Sequence, residues 1–306
     1  MKRIAIAGIG GVGGYFGGLL ARHYAPSGEV EIIFIARGEN EREIREHGLR
    51  IETPQEDFTV RPSLISSDAS QIGGVDLLIC CTKSYDLEQS LQQLAPCIGP
   101  HTVLLPLLNG VDSRDRIKAV YPQNEVWDGC VYILSRLRAP GRVTVNGNFG
   151  SLFFGAAQGT PAQLKATEQL FKAAGMQATL APDIEATIWQ KYVFISSTAT
   201  LTSYADADFK GIVTEAQNKE LLRQLLSEIT AVAAAKHISL PDTVAQEIFT
   251  RLENIPAGAT SSMHSDFKAG KPTEVHSLTD YVVQLGQQLG VPTPTYAQIY
   301  EALKKR

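Results

Sequence analysis

The first half of the chain alternates short β-branched or apolar runs with helical spacings. Arg3–Ala7, Glu31–Ala36, Val75–Cys81 and Thr102–Leu107 read as strands, with weaker strand material over Leu49–Val60. Helical patterns lie between them near Val12–Tyr24, Asn40–His47 and Leu87–Leu94. Strands alternating with helices imply βαβ units and a mostly parallel sheet. From Val126 to Phe154 the pattern changes to Val, Ile, Tyr and Phe broken by Gly, Pro and Asn, which predicts antiparallel or mixed strands added to the edge of that sheet. A helix over Pro161–Ala174 and a short strand over Gln177–Leu180 complete this half. Ala181-Pro182-Asp183 then supplies a break and an N-cap. Beyond it, Ile184–Ala205, Thr214–Lys236, Asp242–Arg251 and Thr273–Leu289 all carry helical spacing, with loops at Pro256–Gly258 and Gly270–Pro272. The expected organisation is an α/β domain over residues 1–181 and an all-helical domain over residues 182–306.

Length agrees with that division: at about 150 residues per domain, 306 residues make two domains. Each half can bury its own core, so neither needs a disulfide or metal staple. With 28 basic and 32 acidic side chains the net charge is −4, without the basic excess expected of a nucleic-acid binder. The longest apolar runs, Leu77–Cys81 and Val103–Leu108, have strand length and fall far short of a bilayer span. Met1-Lys2-Arg3 starts basic like a secretory signal, but glycines interrupt the apolar run at once and no small-residue cleavage site follows. Cys80, Cys81, Cys97 and Cys130 show no metal-binding spacing and read as small core residues, pointing to a reducing, cytoplasmic compartment. The six histidines are dispersed, and no metal is expected.

Gly8-Ile9-Gly10-Gly11-Val12-Gly13 follows the first strand and opens the first helix. In a Rossmann unit the first glycine of such a loop makes the tight turn. The second admits the backbone to a pyrophosphate, and the third lets helix and strand pack closely. The helix N-terminus then faces the anion with its free donors and its dipole. Alone, GxGxxG is a weak signal; in the first strand–turn–helix of the chain it gains the context that supports it. Gly14, Gly17 and Gly18 read as helix–sheet packing positions. The second strand runs into Arg37-Gly38, where an NAD-specific fold usually carries an acidic residue for the ribose 2′-hydroxyl. An arginine there suits the 2′-phosphate of NADP instead, so NADP(H) is the expected coenzyme.

Ligands of open α/β sheets sit beyond the carboxyl ends of the strands, which places Lys83 and Asn109 toward a cofactor, although Asn109-Gly110 is also an ordinary turn dipeptide. In the helical half, Lys191 is surrounded by Ile188, Tyr192, Val193 and Phe194. A lysine partly buried beside a coenzyme is suited to proton donation, because burial lowers an ammonium's pKa toward the working range. An isolated lysine more often snorkels at the surface, and spacing alone does not decide between the two. Glu274 fits the positive N-terminal end of a helix, and equally fits hydrogen bonding to a substrate hydroxyl or carbonyl. His264 has no evident partner and reads as a surface or loop histidine.

Together, GIGGVGGYFGGLLA, Arg37, CTKSYDL, LLNGVDS, WQK and SSMHSDFKAGKPTE resemble the ketopantoate reductases (2-dehydropantoate 2-reductases) over essentially the whole chain, the last motif being the most specific. The resemblance implies a Rossmann-type N-terminal domain and a C-terminal domain related to those of 6-phosphogluconate dehydrogenases. It implies NADPH-dependent reduction of 2-dehydropantoate to pantoate, on the route to pantothenate and coenzyme A. Carried over, Lys191 is the general acid, and Glu274 is its acidic partner on the substrate hydroxyls. Ser262 helps hold the substrate, Asn109 lies near the nicotinamide, and Lys83 closes over cofactor and substrate.

One departure bears on the substrate. The family often has asparagines four and eight residues after the lysine, where this chain has Ile195 and Ala199. Ser196, Ser197 and Thr198 are polar, but one residue turns a side chain by about 100° around a helix. Two alternatives therefore stand beside 2-dehydropantoate reduction: an NADP-dependent reductase of another small 2-keto acid, and a non-catalytic NADP-binding sensor, which would need neither Lys191 nor Glu274. A helical second domain often supplies dimer contacts, so a homodimer is compatible with the chain, although no diagnostic apolar stripe stands out.

Overall fold

The computed structural model describes residues 2–156 and 160–306, apart from the side chains at positions 148 and 149. Two compact units emerge, Met1–Leu108 with Asp112–Ile184, and Asn109–Val111 with Glu185–Arg306. The main division thus falls three residues beyond the sequence boundary at 181, and the short segment Asn109–Val111 joins the helical unit although it is surrounded in sequence by the first.

In chain order the first unit contains β1 (Lys2–Ala7), α1 (Gly11–Tyr24), β2 (Val30–Ile35), α2 (Gly38–His47), β3 (Leu49–Glu52), β4 (Asp57–Val60) and β5 (Leu64–Ile65). There follow β6 (Leu77–Cys80), α3 (Leu87–Gln93), β7 (Val103–Pro106), α4 (Ser113–Val120), β8 (Asp128–Ala139), β9 (Arg142–Gly155), α5 (Pro161–Ala173) and β10 (Gln177–Leu180). One sheet has the order β5-β2-β1-β6-β7, with its paired strands parallel throughout. Its strands are apolar at successive positions because both faces are covered. Ile4, Ile6, Ile32, Phe34, Leu77 and Ile79 enter one core, while the intervening Ala5, Ala7, Ile33, Ile35, Leu78 and Cys80 enter another. Each large side chain so buried contributes roughly 1.5–3 kcal/mol.

The strands from 126 to 154 do not extend that sheet, contrary to the pattern-based expectation. β8 and β9 pair with each other as a long antiparallel hairpin. β9 then pairs parallel to β10 and β3, and β3 pairs antiparallel to β4, making a second five-stranded sheet. Among the described residues, the strand pairing from this stretch to β7 is limited to an isolated bridge, Leu104 to Val126. The reason lies in α1, which packs against both sheets. A Cβ on Gly17 would meet Phe34 and Ile6 of the first, and a Cβ on Gly18 would stand 2.0 Å from Ile51 of the second. Glycine costs about 1 kcal/mol per helical position relative to alanine, yet at Gly18 alanine would force Ile51 out of its place.

The second unit contains α6 (Ile184–Ala205), α7 (Gly211–Thr214), α8 (Ala216–Ala235), α9 (Val244–Glu253), α10 (Ser262–Lys268), α11 (Tyr281–Leu289) and α12 (Pro294–Leu303). A π-helical turn, His276–Asp280, leads into α11. Leu222, Leu225, Ile229, Ile248, Leu252, Tyr296 and Ile299 contribute to its single core. Helices α4, α10 and α12 lie where the sequence pattern predicts none. In α4 only Ser113 and Ile117 are buried, which leaves no apolar period to detect, and α10 has only seven residues. Among the described residues no helix is long and apolar enough to cross a membrane. Cys80, Cys97 and Cys130 are buried and unbridged, as core residues would be.

Candidate active site

The strand order of the parallel sheet reverses between β1 and β6, and ligands of such folds bind beyond the carboxyl ends of the strands at that point. The glycine loop follows β1 there. Gly8 has φ +93° and donates its N–H to Ile35 O at 3.1 Å, and a Cβ on it would lie 2.9 Å from Cys81 O and Thr82 N. A Cβ on Gly13 would lie 2.1 Å from Gly8 O. The fold itself therefore requires these two glycines. Gly10 is different: its φ is −94°, open to any residue, and a Cβ on it would meet no protein atom within 4 Å. Beside it the N–H groups of Gly11, Val12 and Gly13 open α1, where a helix has no acceptors of its own. Ile9 is buried in the core beneath the loop.

Sequence reasoning passed over Asn40. Its Nδ2 donates to Ile9 O at 2.9 Å, and its Oδ1 accepts from Gly141 N at 2.8 Å, so it pins the loop from α2. No local signal marks it, because Gly141 lies 101 residues away. Arg37 stands two residues beyond β2 at the N-cap of α2, with an exposed side chain that donates to Gln93 Oε1. Lys83 is half-buried at the N-cap of the 3₁₀ turn Ser84–Asp86, beyond β6. Thr82 Oγ1 and Ser135 Oγ are buried without a hydrogen-bond partner, Thr82 beside Gly8 and Ser135 against Gly11. An open Gly10, free helix donors, a cation beyond β2 and two unsatisfied hydroxyls fit a dinucleotide with an extended phosphate chain.

The helical unit holds the second cluster. Asn109 follows β7 in sequence but belongs to this unit. Lys191 Nζ, on α6, donates to Asn109 Oδ1 at 3.0 Å, and Asn109 Nδ2 donates to Glu274 Oε2 at 3.2 Å. The two ends of one amide thus bridge a cation and an anion, an arrangement that the opposite amide orientation would break. Lys191 is 6% exposed and Glu274 4%. Burying such charges costs several kcal/mol each, and apolar replacements of a buried pair are often neutral or stabilising by about 1–4 kcal/mol. Stability alone does not explain keeping them, and buried titratable groups of opposite charge held together in this way mark a candidate functional site.

Ser262, the first residue of α10, is exposed, and the N-cap is its neighbour Ser261, whose hydroxyl accepts from His264 N at 3.1 Å. His264 is not the surface histidine expected. It is 4% exposed, with Nε2 2.7 Å from Asp206 Oδ1 and Nδ1 2.7 Å from Thr260 Oγ1. Its carboxylate partner lies 58 residues earlier in the chain, beyond the reach of local pattern.

On α6, Ile195 is half-buried and Ala199 lies in the core. The neighbouring hydroxyls do not replace the family's asparagines. Ser197 and Thr198 turn back to Val193 O and Phe194 O, both at 2.7 Å, and Ser196 bonds to Leu278 O at 2.6 Å. One turn beyond Lys191, Phe194 carries the Arg251 guanidinium 4.5 Å from its ring centroid. Ile195 and Phe194 give this face of α6 an apolar and aromatic character, with the Arg251 cation laid on the ring.

Residues 4–159 match the family model for ketopantoate reductase PanE/ApbA, and residues 183–306 match the model for its C-terminal domain. The crystal structure of 2-dehydropantoate 2-reductase from Porphyromonas gingivalis W83 aligns at a TM-score of 0.86 with 35% identity, covering 99% of each chain. The 2-dehydropantoate 2-reductase of Mesorhizobium japonicum is 26% identical over 324 residues, covering 99% of this chain and 97% of the relative. A D-mandelate dehydrogenase solved with NADH and anilino(oxo)acetate aligns at 0.86 with 25% identity, covering 99% and 98%. In sequence and fold alike, the chain belongs to the ketopantoate reductase family.

Proposed function

We propose that the protein reduces 2-dehydropantoate to pantoate with NADPH, on the route to pantothenate and coenzyme A. The buried Lys191–Asn109–Glu274 relay is the observation that carries this reading. When bound, the reduced nicotinamide supplies a hydride to the C2 carbon of the keto acid. Lys191 stabilises the negative charge that develops on the ketone oxygen and donates the proton that makes it a hydroxyl. These interactions strengthen as the transition state forms and so raise the rate rather than merely tighten binding. Lys191 then regains its proton from water. Asn109 holds the Lys191 ammonium in place, and Glu274 accepts a hydrogen bond from the substrate hydroxyl, with Ser262 as a further substrate contact. The test is NADPH oxidation dependent on 2-dehydropantoate.

On the coenzyme side, Gly8 to Gly13 cradle the pyrophosphate, Arg37 pairs with the 2′-phosphate and Lys83 approaches the bound coenzyme. Charge-assisted hydrogen bonds are worth about 1.5–3 kcal/mol, so Arg37→Ala is expected to weaken NADPH about 10–100-fold. NADH affinity should stay nearly unchanged in direct titrations of both. A loss equal for the two coenzymes would remove Arg37 from the 2′-phosphate site.

A second reading keeps the chemistry and changes the substrate. Ile195 and Ala199 remove two amides from the face of α6 that bears Lys191, and Phe194 adds an aromatic ring there. Such a wall favours a 2-keto acid with an apolar or aromatic substituent. Comparing kcat/KM for 2-dehydropantoate and phenylglyoxylate separates the two readings.

A further inference from the structure

Three hydroxyl-bearing residues spaced one helical turn apart on α6 meet three consecutive residues of the π turn. Tyr192 OH donates to Ser277 O at 2.8 Å. Ser196 Oγ donates to Leu278 O at 2.6 Å and shares a 2.9 Å bond with Tyr296 OH. Thr200 Oγ1 and Thr279 Oγ1 lie 2.7 Å apart. Spacing of i, i+4 and i+8 aligns the three donors on one side of the helix. All six residues of this ladder are buried.

The turn they grip is itself unusual. Tyr281 N–H donates to His276 O, five residues back, and such single π turns inside helices occur often at functional sites. Glu274 stands just before it, and its carbonyl accepts from Leu278 N at 2.9 Å. Leu278 is the residue whose own carbonyl Ser196 holds. At the other end, Tyr192 is the chain neighbour of Lys191. Apolar contacts alone would dock α6 on this turn but would tolerate sliding. Directional bonds between fully buried groups select one register, because any slip leaves them unpaired.

We infer that Tyr192 and Ser196 are positioning residues, which set the segment carrying Glu274 in register with Lys191 so that Asn109 can bridge the pair. This inference rests on the proposed reading of Lys191 and Glu274 as the reacting-site pair. It also gives Ser196 a role other than facing a substrate: it holds the site from behind.

A double-mutant cycle tests it. Tyr192→Phe and Ser196→Ala are assayed with NADPH and whichever of 2-dehydropantoate and phenylglyoxylate the native protein reduces faster, each alone and combined with Glu274→Ala. A displacement of about 1 Å at a reacting site costs up to about 100-fold. Each single variant is therefore expected to lose about tenfold in kcat/KM, with the NADPH dissociation constant unchanged. In the Glu274→Ala background the further loss should fall below about twofold, since residues that act through one group are not additive. Equal losses in both backgrounds would overturn the positioning role and leave the ladder as packing alone, as would native kcat/KM in the single variants. Native kcat/KM in Glu274→Ala would instead overturn the reading of the site, and the inference with it. Ser196→Ala, the smaller change, carries the test if Tyr192→Phe does not fold.

Discussion

Lys191→Ala is expected to lower keto-acid turnover by about 10²–10⁴-fold, the range that general acid catalysis supplies. NADPH binding, measured by titrating coenzyme fluorescence, should be nearly unchanged. The substitution removes the proposed proton donor and also the partner of Asn109 Oδ1, and it leaves the buried Glu274 carboxylate without the cation bridged to it. Part of any loss then reflects a disturbed site rather than a missing proton. Lys191→Met separates the loss of side-chain bulk from the loss of the ammonium, since methionine is an unbranched side chain of similar length. A large loss in both variants assigns the effect to the ammonium. Native turnover in either would remove Lys191 from the chemistry.

The second large effect contrasts two glycines of one loop. Gly13→Ala places a Cβ 2.1 Å from the Gly8 carbonyl oxygen, which belongs to backbone already held against β2. Overpacking of this kind typically costs about 1–3 kcal/mol and more where nothing yields, which at this size lowers Tm by about 2–12 °C. Gly10→Ala meets no protein atom and should melt like the native chain. On the proposed reading its methyl instead occupies the space a pyrophosphate needs, so NADPH affinity is expected to fall about 10-fold or more. Thermal melts and coenzyme titrations on the same two variants read both effects. Native NADPH affinity in Gly10→Ala would show that the space above Gly10 is not where the phosphates sit.

The parallel sheet was legible because its strands are buried on both faces, which leaves uninterrupted apolar runs such as Leu77–Cys80. The second sheet was not, since the destination of the β8–β9 hairpin depends on α1 offering a second glycine-lined face, a fact of packing rather than of period. Strand ends and the glycine loop singled out Lys83, Arg37 and Asn109 as candidates. What no spacing could announce was convergence. Asn109 reaches Lys191 across 82 residues and Glu274 across 165, through side-chain hydrogen bonds that leave no periodic trace. His264 misled for the same reason, its partner Asp206 being distant in sequence and close in space.

The most direct measurement is the initial rate of NADPH oxidation by the native protein as 2-dehydropantoate and phenylglyoxylate are varied in turn. Saturable oxidation dependent on the keto acid is expected, with kcat/KM for 2-dehydropantoate at or above about 10⁴ M⁻¹s⁻¹, the lower end of ordinary enzymes. A protein that binds NADPH tightly yet oxidises it with neither keto acid would contradict a reductase built on Lys191, Asn109 and Glu274.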